Sequence, residues 1–221
     1  MTRLIRWAGP VPTGLTGSAV TLGNFDGVHR AHRAMIRQVV DAAPGRACVV
    51  TFEPTPREFF SPDRAPARLM TLTEKHAALH ALGVDVHVSV RFDARVARLA
   101  PETFAQALLC DTLSARRVVA GHDFRFGRDR AGDVNDLRVF GRTMGFEVAQ
   151  MDAVRLGDVV VSSTAVRAAL ADGDFTTAEA LLGRPYTMCG RVVRGQQLGR
   201  TLGFATANIR PKRRKLPLTA A

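Results

Sequence analysis

The strongest constraint on the fold is a repeated alternation, in which short apolar runs that stop at turn residues are followed by stretches with helical spacing. Residues 19–22 form such a run and end at Gly23. From His29 to Ala42 the spacing puts Ala31, Met35, Val39 and Ala42 on one helical face, and a second apolar run covers 47–52. Thr71 and Glu74 have capping-box spacing ahead of a helix that ends at Gly83, after which Val84, Val86, Val88 and Val90 alternate as in a strand. Pro101 suits the first turn of a helix to about Leu109, 117–120 reads as a strand, 134–144 as a helix and 147–151 as a further strand. This β-α-β-α rhythm predicts a mostly parallel sheet with helices on its faces.

Further on, 154–161 suits two short strands about the turn Leu156-Gly157-Asp158. Ser162, Ser163 and Thr164 are N-cap candidates for a helix to Asp172, closed at Gly173, and a second short helix, 176–182, ends at Gly183. From Tyr186 the pattern changes to β-like residues with many glycines. That change sets a domain boundary near 183–185 and divides the chain into 1–184 and 185–221. A length of 221 residues allows one full-sized domain and a small or partial second one.

The formal net charge of +11 would ordinarily raise nucleic acid as a partner. Its distribution argues against that. Residues 187–221 hold eight Arg or Lys and no acid, which leaves +3 for the rest, and five of the eight fall within 210–215. That run reads as a solvated, mobile tail, and the chain from about Gly195 onward is expected to be weakly ordered. Nucleic acid is therefore disfavoured. Cys48, Cys110 and Cys189 suggest neither a disulfide framework nor a CxxC metal site and suit a reducing cytoplasm. No segment approaches the roughly 20 apolar residues of a membrane span, so no membrane partner is expected.

The chemistry is concentrated in Thr21-Leu22-Gly23-Asn24-Phe25-Asp26-Gly27-Val28-His29-Arg30-Ala31-His32: a strand, a glycine turn and a helix start. Gly23 and Gly27 let the backbone turn tightly near a ligand, while the helix start directs N–H groups at an anion. His29 and His32 share one helical face and can donate to phosphoryl oxygens. The string closely resembles the GxFDGVHxGH box of bacterial FAD synthetases, a version of the HxGH motif of nucleotidyltransferases. Ala31 stands where the family has Gly.

Three more segments resemble that family in the same order. Val50-Thr51-Phe52-Glu53-Pro54-Thr55-Pro56-Arg57-Glu58-Phe59-Phe60 is similar to its flavin-pocket loop TFEPHPREFF, with Thr55 for His. Gly121-His122-Asp123-Phe124-Arg125-Phe126-Gly127 resembles the GxDFxFG box, and Ser162-Ser163-Thr164-Ala165-Val166-Arg167 the SSTxxR box. Beyond 182, Leu182-Gly183-Arg184-Pro185-Tyr186 and the stretch 199–208 resemble LGRPY and GRxLGFPTAN, the latter opening the family's riboflavin kinase domain, with Ala205 for Pro.

The resemblance implies an α/β fold: a Rossmann-like nucleotidyltransferase domain with a parallel sheet, followed by the incomplete start of a β-barrel riboflavin kinase domain. It implies transfer of AMP from ATP to FMN, giving FAD and pyrophosphate with Mg²⁺ as cofactor. His29, His32, Ser163, Thr164 and Arg167 would be catalytic. Gly23, Asn24, Phe25, Gly27, Asp123 and Ser162 would bind ATP, and Pro54, Thr55, Pro56, Phe124 and Phe126 would bind FMN. Gly199, Thr206 and Asn208 would be the residual kinase motif. The partners expected are the small molecules ATP, FMN and riboflavin; FAD is expected from supplied FMN, but no FMN from riboflavin. The residues leave metal ligands unassigned and oligomeric state open. The rival readings are a homologue that binds nucleotide or flavin without turnover and a basic nucleic-acid-binding protein.

Overall fold

Six strands form one sheet in which every pair runs parallel, in the order β1-β4-β3-β2-β5-β6. They are β1 (Arg3–Trp7), β2 (Ser18–Leu22), β3 (Ala47–Glu53), β4 (Val86–Arg91), β5 (Ala115–Gly121) and β6 (Glu147–Met151). The computed structural model describes residues 1–10, 13–43, 45–194, 207–213 and 215–218. Around the sheet lie α1 (Arg30–Asp41), α2 (Pro56–Phe60), α3 (Leu72–Ala81), α4 (Ala94–Ala97), α5 (Pro101–Ala105), α6 (Val134–Met144), α7 (Ser163–Ala171) and α8 (Phe175–Leu182). The α/β expectation is met.

Alternation along the central strands divides the core. Val20, Leu22, Val50, Val88 and Val118 pack with Trp7, Phe104 and Leu137 on one face. Ala19, Val49 and Val119 pack with Met35, Ile36 and Val39 of α1 and with Val166 and Leu170 of α7 on the other. Local signals explain most ends. Thr71 and Glu74 form the expected capping box of α3, and Asp133 with Asp136 does the same for α6, which closes at Gly145 in the left-handed region. A short hairpin pairs β7 (Arg155–Leu156) with β8 (Val159–Val160).

Several expectations need correction. Ala31 and Ala42 are only half-buried, and Ile36 takes their place in the buried face of α1. The 54–60 loop contains a helix, α2, because Thr55 and Glu58 cap it reciprocally behind Pro56. The helix from Pro101 does not end near Leu109 but continues as a π-helical segment, Gln106–Thr112, whose Thr112 hydroxyl accepts from the buried Trp7 indole at 2.9 Å. β1 adds an edge strand beside β4, so β4 is covered on both sides and buries His87 and Ser89 among its valines.

The basic run is not a free tail. Asn208–Pro211 forms β10, antiparallel to β9 (Gly190–Val193). Arg213 enters a buried ion pair with Glu74 at 2.6 Å and donates to the Tyr186 hydroxyl, while Lys215 donates to the carbonyls of Asp63 and Ala65. Burial of a guanidinium is favourable only where a carboxylate meets it, and Glu74 supplies one. Gly199 and Thr206, like all of 195–206, lie outside the described residues.

Strand order reverses at β2: the chain passes from β2 outward to β3 and β4, then crosses to β5 on the other side. A crevice opens at such a switch point, beyond the carboxyl ends of the strands.

Candidate active site

That crevice is a cleft of about 430 Å³ lined by residues at or just past the carboxyl ends of β2 (Gly23, Asn24, Phe25), β5 (Gly121, Asp123, Phe124, Arg125) and β6 (Met151, Asp152), with His29, Ala31 and His32 from the start of α1 and Ser162 from the start of α7. A second cavity, about 420 Å³, adjoins it and is walled by Phe60, Phe92, Phe104 and Phe126. Phe52, Pro56, Phe124, Arg125 and Arg130 line both.

The turn after β2 is tightly specified. Gly27 has φ +87°, and a Cβ there would lie 2.8 Å from Leu69 Cδ1. Phe25 and Val28 also take left-handed φ values of 46° and 43°, which cost energy for side-chain-bearing residues and most for β-branched valine. Tertiary bonds hold this conformation. The Asp26 carboxylate accepts the Leu69 and Met70 N–H groups and pairs with Arg167, while the carbonyl of Asp26 accepts from Ser163 Oγ at 2.8 Å. Lys75 Nζ reaches the Asn24 carbonyl at 2.6 Å and Arg184 reaches that of Gly27 at 2.9 Å.

His29 is the N-cap of α1, and its Nδ1 accepts the His32 N–H at 3.4 Å. In a neutral ring that leaves the proton on Nε2. The two imidazoles stack with centroids 3.5 Å apart. Burial, aided by the positive Arg167, lowers the His29 pKa to about 4. Burial, then His29 and Lys75, lowers that of His32 as well. At neutral pH both rings are uncharged hydrogen-bond donors.

The sequence-derived candidates divide by position. Gly23, Asn24, Phe25, His29, His32, Asp123, Phe124 and Ser162 line the switch-point cleft, Pro56 and Phe124 line both cavities, and Phe126 lines the aromatic one. Gly27 and Ser163 lie behind the cleft wall, Thr164 is exposed, and Arg167 spends its Nε on the Ala67 carbonyl and its Nη2 on Asp26. Thr55 is occupied in the α2 cap, and Pro54 lines a different cavity, beside Lys212 and Lys215. Asn208 sits in β10, exposed. Sequence reasoning missed the roles of Asp26, Lys75 and Arg184 at the turn, and of Arg125, Arg130 and Asp152 in the cleft wall. Asp26, Arg125 and Arg184 each lie inside a segment that resembles the family, which is a signal; Lys75, Arg130 and Asp152 lie outside those segments.

A parallel sheet with a cleft and a paired-histidine helix start at its switch point is the α/β architecture whose ligands bind beyond the carboxyl ends of the strands. The chain belongs to the FAD synthetase family, whose model matches residues 12–165; the riboflavin kinase family model matches 182–220. It is 46% identical over 92% of its length to the bifunctional riboflavin kinase/FMN adenylyltransferase of Pseudomonas fluorescens, and 45% identical over 91% to that of Escherichia coli K12. The chain spans 66% of the length of each of these relatives. A crystal structure described as a macrolide-efflux protein from Streptococcus pneumoniae superposes with a TM-score of 0.83 at 29% identity, over 95% of this chain and 69% of that one. Among the described residues no helix is long and apolar enough to cross a membrane.

Proposed function

We propose that the chain is an FMN adenylyltransferase: an FMN phosphate oxygen attacks the α-phosphorus of ATP, the bond to the β-phosphate bridging oxygen breaks, and FAD and pyrophosphate leave. The observation that carries this reading is the junction of two cavities, one phosphate-suited with His29 and His32, the other aromatic, sharing the wall Phe52, Pro56, Phe124, Arg125 and Arg130. ATP occupies the first and the isoalloxazine ring the second, so the two phosphates meet at the shared wall. Such transfer needs alignment and charge stabilisation more than covalent help.

His29 Nε2–H and His32 donate to the reacting phosphate and the departing pyrophosphate. Arg167, with Ser163, acts mainly through Asp26 by fixing the turn, and Ser162 at the α7 start faces the distal phosphates, with the exposed Thr164 outside the cleft lining. Asp123 and Asp152 are the carboxylates of the cleft wall. They fit Mg²⁺, which takes one or two carboxylates together with phosphate oxygens and water. When bound, Mg²⁺ supplies charge neutralisation of the triphosphate. Residues 1–184 form the adenylyltransferase unit and 185–221 belong to the riboflavin kinase region; the substrates are small molecules, and the compartment is cytoplasmic.

The test is incubation of purified chain with FMN and ATP·Mg²⁺, quantifying FAD and pyrophosphate. Stoichiometric formation of both is expected. Tight nucleotide or flavin binding without FAD would replace the enzymatic reading with a binding one.

A further inference from the structure

Lys75 is the unexplained charge of this fold. It lies in the first turn of α3 with 2% of its surface exposed, beneath the turn that lines the cleft. Its ammonium donates to the Asn24 carbonyl at 2.6 Å. Among the described residues no carboxylate comes within 4.0 Å of it: Glu74 is taken by Arg213, Asp26 by Arg167, and Glu53 and Glu58 by Arg68. Asp26, Glu53 and Glu58 act on Lys75 only from a distance, and burial pulls its pKa down despite them.

A buried ammonium without a paired carboxylate is expensive, and an apolar residue of similar length would stabilise the same packing better. What Lys75 faces gives the charge a use. Three cations, Lys75, Arg167 and Arg184, donate into the turn and its surroundings, and Asp26 is the one carboxylate among them. The platform therefore keeps a positive surplus under a turn whose upper side is the cleft wall. There is a geometric effect too. A trans peptide points its C=O and the next N–H in opposite directions, so holding the Asn24 carbonyl toward Lys75 turns the Phe25 N–H away from it, in a turn whose Asn24 and Phe25 both line the cleft.

We infer that Lys75 is a positioning residue for the triphosphate of ATP: its buried, carboxylate-free ammonium holds the Asn24 carbonyl and supplies positive charge beneath the turn, at a standing cost to the empty protein that the bound anion offsets. The inference rests on the adenylyltransferase reading of the cleft. It extends that reading to a residue outside the cleft and outside every motif.

The consequence is a split that a purely structural lysine would not produce. Lys75→Met should melt at or above the wild-type temperature without nucleotide, yet lose at least half of the upward shift that saturating ATP·Mg²⁺ or inorganic pyrophosphate gives the wild type. Its KM for ATP should rise about tenfold or more while KM for FMN stays within about twofold. Lys75→Gln, which keeps a donor for the Asn24 carbonyl and drops the charge, should fall between the two in KM. If Lys75→Met and Lys75→Gln both fail to fold, the inference is overturned, because the charge would then be a net stabiliser. An active wild type matched by Lys75→Met in KM and thermal shift would overturn the inference alone. A wild type that neither makes FAD nor is stabilised by ATP would overturn the functional reading, and the inference with it.

Discussion

Asp26 and Arg167, 141 residues apart, form an ion pair beneath the turn after β2, with side chains 10% and 20% exposed. The pair joins the first motif to the segment Ser162–Arg167 and closes the network that keeps Phe25 and Val28 in left-handed conformations. Arg167→Met would leave Asp26 with its two amide donors but without a counter-charge. We expect a loss of about 3 kcal/mol in urea unfolding, near the lower end for breaking a buried pair because those donors remain. Adding Asp26→Asn should recover part of that loss. A change below about 1 kcal/mol would show the pair to behave as a solvated surface bridge.

His29 both caps α1 and lines the cleft, so replacement by alanine would confuse the two roles. Asparagine separates them, because it is among the best N-cap residues but has no imidazole. His29→Asn should keep the wild-type melting temperature within a few degrees and lower FAD synthesis by about two orders of magnitude, the usual effect of removing a charge-stabilising donor. Activity near wild type in a folded variant would remove His29 from the reaction.

The shifted histidines also bear on the pH profile. With the His29 pKa lowered to about 4 and that of His32 lowered too, neither ring changes charge near an ordinary histidine pKa. kcat/KM reports free substrate as well as free enzyme, and a phosphate monoester such as FMN has its own second ionisation near about 6, so any break there should be the same in the wild type and in His29→Asn. A break present in the wild type and lost in His29→Asn would mean that His29 is far better solvated than its packing suggests.

Much of this fold was legible because local chemistry and tertiary packing agree in it. The ends of α6 and β6 follow from an aspartate cap, helical spacing and Gly145, all of which act within a few residues. β1 carried no such signal: two of its five residues are arginines, and what fixes it is the open edge of β4. The same division holds at the site. The histidines, the glycine turn and the aromatic loops are contiguous strings, and the structure brings most of them to one cleft. The bonds that hold the turn are not contiguous: Lys75 lies 51 residues from Asn24 and Arg184 lies 157 residues from Gly27. A lysine in a helix looks ordinary until the chain is folded, and the segment around Arg184 marks that arginine without saying that it reaches back to Gly27. The basic run misled for the same reason, since only the folded chain brings Glu74 to Arg213.

Ala31 lines the cleft from the first turn of α1, half-buried, with its methyl group beside the histidines. If that methyl narrows the approach of the triphosphate, Ala31→Gly should lower KM for ATP. It should also cost about 1 kcal/mol of stability, the usual helix penalty for glycine against alanine. Stopped-time FAD assays with urea unfolding in parallel would check both. An unchanged or higher KM would show that the site is already fitted to alanine.

Acid should unfold the protein in two stages, and the signs follow from the shifts. Burial, with smaller contributions from Lys75 and His76, lowers the His87 pKa to about 3, and His29 sits at about 4. Unfolded histidines take up protons near about 6.5, so between there and about 4 the unfolded chain binds more protons than the folded one, and stability falls as pH is lowered. Glu58 and Glu74 are each held at about 2. Burial alone would raise both, but hydrogen bonds from Arg68 and the Thr55 amide outweigh it at Glu58, and the Thr71 and Cys189 amides with Arg213 do so at Glu74. Their stabilisation is fully present above the unfolded carboxylate pKa and is lost as pH falls from about 4.5 toward 2. Arg213→Met should therefore lower the melting temperature at neutral pH, yet flatten its fall below about 4.5, since one source of the Glu74 shift is gone. The first stage, set by the histidines, should be unchanged. Trp7, buried beside Thr112 and the sole tryptophan, reports the transition by fluorescence. A parallel displacement of the whole acid limb in Arg213→Met would mean that the Glu74 carboxylate is held by the backbone amides alone.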